Sequence, residues 1–135
     1  MALNLQCIYK LNAKKLDSEN KKIVLIDDDK STAESISSYL IENGYDVTTA
    51  FNGWDGLEAI KRTNPHLIIS DIKMPKLGGI ELYYILKGLR INTPVIFISA
   101  FEEPKNLNND LEIFACIPKP INIKELKGFI QQAVQ

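Results

Sequence analysis

The sequence predicts a single α/β domain in which a five-stranded parallel sheet is covered by helices on both faces. Short apolar runs alternate with helical patterns from residue 23 onward. The first run, residues 23–26, is apolar at every position, which is typical of a strand buried on both faces. The chain has 135 residues, 45% of them hydrophobic, and this is enough for one ordinary core.

The first half of this pattern gives two strands and two helices. After the first strand, Ser31 and Glu34 have the spacing of a capping box, and Gly44 stops the helix that they begin. Residues 46–51 contain three consecutive β-branched side chains and predict the second strand. Asn52 can then cap the second helix.

In the second half, Asn64-Pro65 ends the second helix, and a third strand follows that ends at Asp71. Apolar residues at helical spacing predict the third helix: Leu82, Ile85, Leu86 and Leu89. Residues 94–99 predict the fourth strand. Residues 102–111 contain Pro104 and three asparagines, so the fourth helix should be short or irregular. Residues 115–117 and a helix opened by Asn122 complete the series.

Strict alternation with short connections requires right-handed crossovers and a parallel sheet. The fold predicted for residues 22–135 is therefore a flavodoxin-like (βα)5 doubly wound sandwich with strand order 2-1-3-4-5. Residues 1–21 differ in composition and are interpreted as an N-terminal tail or linker remnant.

Composition excludes several classes of protein. Sixteen basic and 17 acidic residues give a net charge of -1, so neither nucleic-acid binding nor a membrane partner is predicted. Cys7 and Cys116 lack the spacing of a disulfide framework or a zinc site. No apolar stretch is long enough for a membrane span or a signal peptide, and the predicted location is cytoplasmic.

Polar side chains stand where the predicted strands end. Asp27 and Asp28 end the first strand, Asp71 ends the third, Ser99 ends the fourth and Lys119 follows the fifth. Carboxyl ends of parallel strands share one edge of a doubly wound sheet, and ligands bind there at the switch in strand order. The sequence therefore predicts that three carboxylates, a hydroxyl and an ammonium group converge.

This combination of groups favours phosphoryl transfer to an aspartate. Two carboxylates about 5 Å apart repel by roughly 3 kcal/mol at an effective dielectric near 20, so a divalent cation is expected among them. Oxygen ligands favour Mg²⁺ or Mn²⁺, and Lys119 would add a second positive charge for the phosphoryl oxygens. Asp71, alone on the middle strand, is the best candidate nucleophile.

With these motifs in order, residues 23–134 resemble response-regulator receiver domains of two-component systems. Four segments carry the resemblance: Leu25-Ile26-Asp27-Asp28, Asp71-Ile72-Lys73-Met74-Pro75, Ser99-Ala100 and Lys119-Pro120.

The resemblance implies a CheY-like phosphorylation switch rather than an enzyme. It implies metal ligands from Asp28, Asp71 and the Lys73 carbonyl, with Asp27 acting through water. It also implies that Ser99 moves toward the phosphoryl group and that the peptide before Pro120 can be cis. The implied partners are a sensor histidine kinase or phosphotransfer protein, and an unknown output partner or missing output domain.

Three features depart from the family pattern. Gly78-Gly79 replaces the usual Asp-Gly of the loop, which is interpreted as a minor change in a turn. Cys116 stands where many members have an aromatic switch residue. The interval from Ser99 to Lys119 is a couple of residues short, in agreement with the weak pattern of the fourth helix.

Three alternative functions remain open. Asp27, Asp29 and Ser31 also fit the Asp-x-Asp-x-Ser pattern of a haloacid-dehalogenase-like phosphatase with Asp27 as nucleophile, although Asp71 then has no role. A flavodoxin would need a hydroxyl-rich phosphate loop instead of carboxylates. A pseudo-receiver would bind partners without phosphorylation, and the altered position 116 keeps that interpretation open.

Other polar and aromatic residues have structural interpretations. Asp29 is interpreted as a favourable charge at a helix N-terminus. His66 should be structural, at the end of the sheet opposite the site. Trp54 and Phe97 are expected in core or half-buried packing, and Cys116 as a small buried hydrophobe.

Overall fold

The computed structural model describes residues 21–100 and 113–134. Within these ranges the chain forms five strands and four helices that alternate up to β4. The elements are β1 Lys22–Ile26, α1 Lys30–Glu42, β2 Asp46–Ala50, α2 Gly53–Thr63, β3 Leu67–Asp71, α3 Gly79–Gly88, β4 Val95–Ser99, β5 Ala115–Pro118 and α4 Ile123–Ala133. The helix predicted over residues 102–111 and the tail predicted over residues 1–21 lie outside the described residues, except for Lys21.

The strands form one parallel sheet in the order β2-β1-β3-β4-β5. The predicted flavodoxin-like order is therefore confirmed. The strand order reverses between β1 and β3, and doubly wound sheets bind ligands outside the carboxyl ends of their strands at such a reversal.

The apolar run of β1 is continuous because the sheet has a core on each face. Ile23 and Leu25 belong to one core cluster, while Val24 and Ile26 belong to the other. Side chains alternate across a strand, so covering both faces requires an apolar residue at every position.

Each core is closed by one pair of helices. α1 and α4 cover the face of Ile23 through five buried residues: Ala33, Ile36, Leu40, Leu126 and Ile130. α2 and α3 cover the face of Val24 through six: Leu57, Ala59, Ile60, Leu82, Tyr83 and Leu86. The helices therefore cover both faces of the sheet.

The helix starts confirm two predicted caps and correct one. The side chains of Asn52 and Asn122 cap α2 and α4 as predicted. The cap of α1 is Asp29 rather than Ser31, since the Asp29 carboxylate accepts hydrogen bonds from the Ser31 N–H at 3.1 Å and the Thr32 hydroxyl at 2.8 Å. Asp and Ser are equally good caps, so the pattern could not choose between them, and the helix begins at the earlier one.

Two predictions about buried side chains are also corrected. Leu89 is 47% exposed because it follows the last residue of α3, and Tyr83 takes the buried position on that helix instead. Trp54 is 53% exposed at the start of α2, whereas Phe97 is fully buried as expected. Cys116 is half-buried. None of the helices in the two described ranges has the length and apolarity needed to cross a bilayer.

Candidate functional site

The carboxyl end of the sheet carries the buried polar side chains of the described residues. Asp27 follows β1 and is 0% exposed, Asp71 ends β3 at 6%, and Ser99 ends β4 at 6%. The remaining buried polar residue, Ser70, immediately precedes Asp71. Polar side chains are buried only at a cost, so this concentration at one end of the sheet identifies the candidate site.

Backbone hydrogen bonds continue past the strands and hold these residues in register. The Asp27 N–H donates to the Ala50 carbonyl at 3.1 Å, which extends the pairing of β1 with β2. The Lys119 N–H donates to the Ser99 carbonyl at 2.7 Å and extends the pairing of β4 with β5. The positions of Asp27, Ser99 and Lys119 therefore follow from the strand register.

Lys119 joins the two buried carboxylates. Its Nζ lies 3.1 Å from Asp27 Oδ2 and 3.1 Å from Asp71 Oδ2. Burial lowers the pKa of Lys119, but its close polar contacts and charge interactions with the carboxylates of Asp27 and Asp71 outweigh burial and leave that pKa above its ordinary value. The lysine is therefore a fixed positive charge between two acids.

The two carboxylate oxygens of Asp27 contact different groups, the Asp29 N–H and the Lys119 ammonium. Its Oδ1 accepts a hydrogen bond of 2.9 Å from the Asp29 N–H. Burial raises the pKa of Asp27, and this effect exceeds the lowering by the Asp29 N–H and Lys119. The Asp27 carboxylate is thus strongly desolvated and only partly compensated.

The acidic residues are arranged as a hard cation would require. Asp27, Asp28 and Asp71 each offer a carboxylate oxygen, and these oxygens lie within 4.8 Å of one another. Although Asp27 Oδ2 faces Lys119, it is buried and accepts no hydrogen bond of good geometry from the residues that the structure describes. An oxygen-only donor set with a buried unsatisfied lone pair fits Mg²⁺ or Mn²⁺.

A small cavity of about 60 Å³ opens beside Asp71, lined by Asp71, Lys73, Ser99 and Ala100. Asp27 does not line it. The cavity brings together three of the residues predicted for the site, namely Asp71, Lys73 and Ser99. A metal-ligand role for the Lys73 carbonyl stays a prediction.

The loop between β3 and α3 contains a determinant that the sequence interpretation missed. Gly79 is buried, and a Cβ there would collide with the Asp71 carbonyl and approach the Phe97 ring to 3.1 Å. Its N–H donates to the Ile72 carbonyl at 2.8 Å, which closes the loop. Because residue 79 is glycine, α3 can begin directly against the backbone of Asp71.

His66 and the peptide before Pro120 agree with what the sequence predicts. His66 is exposed at the amino end of the sheet, and its Nδ1 accepts a hydrogen bond of 3.0 Å from the Lys22 N–H. The Lys119-Pro120 peptide is cis, as the resemblance implied. Cys116 pairs with Phe97 across β4 and β5.

Comparisons with known proteins agree with this geometry. A family model described as "Response regulator receiver domain" matches residues 23–131. Two of the similar solved structures are a receiver domain of the Francisella response regulator 1452 and the Vibrio cholerae chemotaxis protein CheY4. The first has a TM-score of 0.78 and 37% identity over 84% of this chain and 96% of that one. The second has a TM-score of 0.76 and 25% identity over 84% and 98%.

Curated relatives include transcriptional regulatory proteins. CrdR of Helicobacter pylori is 34% identical over 83% of this chain and 54% of that protein. The CpxR homolog of Haemophilus influenzae is 41% identical over 78% of this chain and 46% of that protein. The chain thus spans about half the length of the curated relatives it matches. None of the three alternative functions is favoured by these comparisons.

Proposed function

The chain belongs to the response regulator receiver family of two-component systems, and on that premise we propose that Asp71 is the residue that accepts the phosphoryl group. Receiver domains are signalling switches and are generally not classed as enzymes. The only catalysis proposed for this chain is therefore its own phosphorylation and dephosphorylation.

The observation that carries the proposal is the contrast between Asp71 and Asp27. Asp71 borders the cavity of about 60 Å³, whereas Asp27 is 0% exposed and does not. A nucleophile must reach an incoming phosphorus atom, so an enclosed carboxylate is a poor candidate. This contrast also disfavours the phosphatase alternative, in which Asp27 would attack.

The proposed step transfers phosphorus from nitrogen to oxygen. An Asp71 carboxylate oxygen forms a bond to the phosphorus of a donor phosphohistidine, and the phosphorus–nitrogen bond breaks. The electron pair stays on the imidazole nitrogen, which takes up a proton from solvent. Lys119, already 3.1 Å from Asp71 Oδ2, stabilises negative charge on the phosphoryl oxygens.

A divalent cation is the cofactor that fits these residues. Receiver domains generally depend on Mg²⁺, and Asp27, Asp28, Asp71 and the Lys73 carbonyl are the groups proposed to hold Mg²⁺ or Mn²⁺ here. When bound, the cation would supply positive charge against the phosphoryl oxygens. Asp27 and Asp28 then serve to retain it, while Asp71 remains the acceptor.

The proposed partners are a phosphodonor and an output module. The donor is a sensor histidine kinase or a phosphotransfer protein. Ser99 lies in the same cavity wall as Asp71, and its carbonyl accepts the Lys119 N–H at 2.7 Å. A shift of Ser99 toward a phosphoryl group would therefore reach β5 through this hydrogen bond and change the surface presented to an output partner.

The test is intact-mass spectrometry of the full chain after incubation with acetyl phosphate and MgCl₂. We expect the mass of one phosphoryl group to be added in the parent protein and none in Asp71→Asn. Asp27→Asn should retain partial labelling, because it weakens cation binding without removing the acceptor. An exposed acid at the other end of the sheet provides the control, and Asp46→Asn should label as the parent does.

Two results would contradict this assignment. Label that persists in Asp71→Asn and disappears in Asp27→Asn would support the phosphatase-like reaction. A parent protein that neither takes up label nor binds beryllofluoride with Mg²⁺ would support a pseudo-receiver.

A further inference from the structure

Ser70 is a buried hydroxyl residue that the proposed reaction does not use. It is 1% exposed and lies on β3, directly before Asp71. Its neighbours in the sheet are Ile26 of β1 and Phe97 of β4, and both belong to one apolar core cluster. A hydroxyl group loses its hydration at such a position, so its place among apolar side chains requires a compensating hydrogen bond.

The Ser70 hydroxyl cannot reach a phosphoryl group directly. Successive side chains of a strand point to opposite faces of the sheet, so the side chains of Ser70 and Asp71 project in opposite directions. Ser70 shares its face with Ile68, which packs in the core that α2 and α3 close. The Asp71 carboxylate lies on the other face, where it contacts Lys119 Nζ. Any effect of Ser70 on the acceptor must therefore pass through the backbone.

The backbone contact is a hydrogen bond to the acceptor residue itself. Ser70 Oγ donates to the Asp71 carbonyl at 2.9 Å. The next N–H along the chain, that of Ile72, donates to the Ile98 carbonyl at 3.1 Å. The peptide group between Asp71 and Ile72 is therefore held through its oxygen by Ser70 and through its nitrogen by β4.

The surroundings of the Asp71 carbonyl increase the importance of this bond. Asp71 is 6% exposed, and a Cβ on Gly79 would collide with its carbonyl, so the start of α3 lies directly against that group. The Gly79 N–H donates to the Ile72 carbonyl at 2.8 Å and closes the loop over it. An enclosed carbonyl depends on a donor from the protein, because leaving it without one costs free energy.

We propose that Ser70 is a positioning residue for phosphoryl transfer. By fixing the Asp71 carbonyl, its hydroxyl sets the direction in which the Asp71 carboxylate leaves the strand and enters the cavity of about 60 Å³. Small errors in the orientation of a reacting group lower the rate of a reaction steeply. This inference rests on the proposed role of Asp71 as phosphoacceptor, and it adds a residue that does not touch the phosphoryl group.

The test compares Ser70→Thr with Ser70→Val, because the two new side chains have nearly the same shape and only threonine carries a hydroxyl. Intact-mass spectrometry follows phosphorylation of the full chain at saturating MgCl₂ over a series of acetyl phosphate concentrations. We expect the maximal rate of Ser70→Val to be about 5- to 10-fold below that of Ser70→Thr, which corresponds to the loss of one hydrogen bond. The acetyl phosphate concentration that gives half the maximal rate should be equal in the two variants.

Two further variants separate positioning from general stability. Ser70→Ala removes the hydroxyl without adding volume, and it should lose as much rate as Ser70→Val. Ile68→Val removes one methyl group from the same face of β3 and the same core. Its thermal midpoint should fall, but its maximal rate should equal that of the parent protein.

A second measurement detects the hydrogen bond without phosphorylation. The ¹³C chemical shift of the Asp71 carbonyl reports on the donor that the carbonyl receives. We expect this shift to change in Ser70→Val and Ser70→Ala, and to stay near the parental value in Ser70→Thr and Ile68→Val.

Three outcomes would overturn the inference alone. These are equal maximal rates in Ser70→Thr and Ser70→Val, a rate loss in Ile68→Val as large as that in Ser70→Val, and a carbonyl shift that ignores the hydroxyl. A parent protein that takes up no label would instead overturn the proposed function, and this inference with it.

Discussion

The two ends of the sheet treat polar side chains differently. At the carboxyl end Asp27 and Asp71 are buried around Lys119, and at the amino end His66 is exposed and accepts one backbone hydrogen bond. The same strands supply both ends. The difference therefore lies in the residues at and just beyond the two ends of each strand.

This contrast shows where stability is given up for function. A buried carboxylate loses its hydration, and the attraction of one lysine shared by two acids does not fully restore it. Asp27 Oδ2 is buried and accepts no hydrogen bond of good geometry from the described residues, so its only compensation there is the ion pair of 3.1 Å with Lys119 Nζ. The amino end has no comparable group among the described residues, since its polar side chains are solvated.

Removal of Lys119 should produce the largest loss of stability. Lys119→Gln leaves Asp27 and Asp71 without their shared cation, and we expect the free energy of unfolding in EDTA to fall by about 3 kcal/mol. Urea denaturation measures it. Lys124→Gln, on the exposed surface of α4, should change the value by less than about 0.5 kcal/mol. Equal losses in the two variants would mean that the carboxyl end has no special energetic role.

Closing the space at Gly79 should have the next largest effect. Gly79→Ala forces a Cβ against the Asp71 carbonyl and Phe97, so we expect destabilisation of about 2 kcal/mol and slower labelling by acetyl phosphate. Gly128→Ala is the matched control, because a Cβ there meets nothing within 4 Å. It lies inside α4 and should stabilise the protein by about 0.5–1 kcal/mol. A tolerated Gly79→Ala would show that the loop can move away from Asp71.

Mg²⁺ should offset part of the repulsion among the carboxylates at the carboxyl end of the sheet and so stabilise the protein. At ten times its dissociation constant, the ion should raise the free energy of unfolding by about 1.4 kcal/mol, because it binds only the folded arrangement of carboxylates. Thermal denaturation with and without MgCl₂ measures this. The gain should shrink in Asp71→Asn and persist in Asp46→Asn. An identical gain in all three proteins would place the bound ion elsewhere.

A substitution at the amino end of the sheet should have the smallest effect on stability. His66→Ala removes the acceptor for the Lys22 N–H at an exposed position, so we expect a loss of about 0.5–1 kcal/mol. Phosphorylation by acetyl phosphate should proceed at the parental rate. A clear change in labelling would show that the two ends of the sheet are coupled.

Much of the fold was accessible from the sequence because local patterns and tertiary packing agree. The continuous apolar run of β1 predicts a strand that is covered on both faces, and the structure divides those side chains between two cores. Once the strand order follows, the residues after each strand must meet at one edge. Asp27, Asp71, Ser99 and Lys119 were therefore placed correctly by topology alone.

The remaining features depend on three-dimensional detail that periodicity does not carry. Asp29 caps α1, but Asp and Ser are equally good caps, so the sequence does not show which of Asp29 and Ser31 begins the helix. Tyr83 is buried and Trp54 is exposed, and the sequence pattern alone does not fix which side of each helix these aromatic residues occupy. The double ion pair of Lys119 required the positions of atoms, and the collision that Gly79 avoids could be suspected only from a glycine at a helix start.

The register of the parallel strands limits where this protein can accept inserted residues. Asp71 lies opposite Ile98, and Ser99 opposite Pro118, so each functional residue is located by counting along its strand. One residue inserted into β3 would exchange its two faces and turn the acceptor toward the wrong side. An insertion in a turn at the amino end leaves the position of each functional residue along its strand unchanged. Length variation among related chains should therefore accumulate in those turns and be absent from the strands.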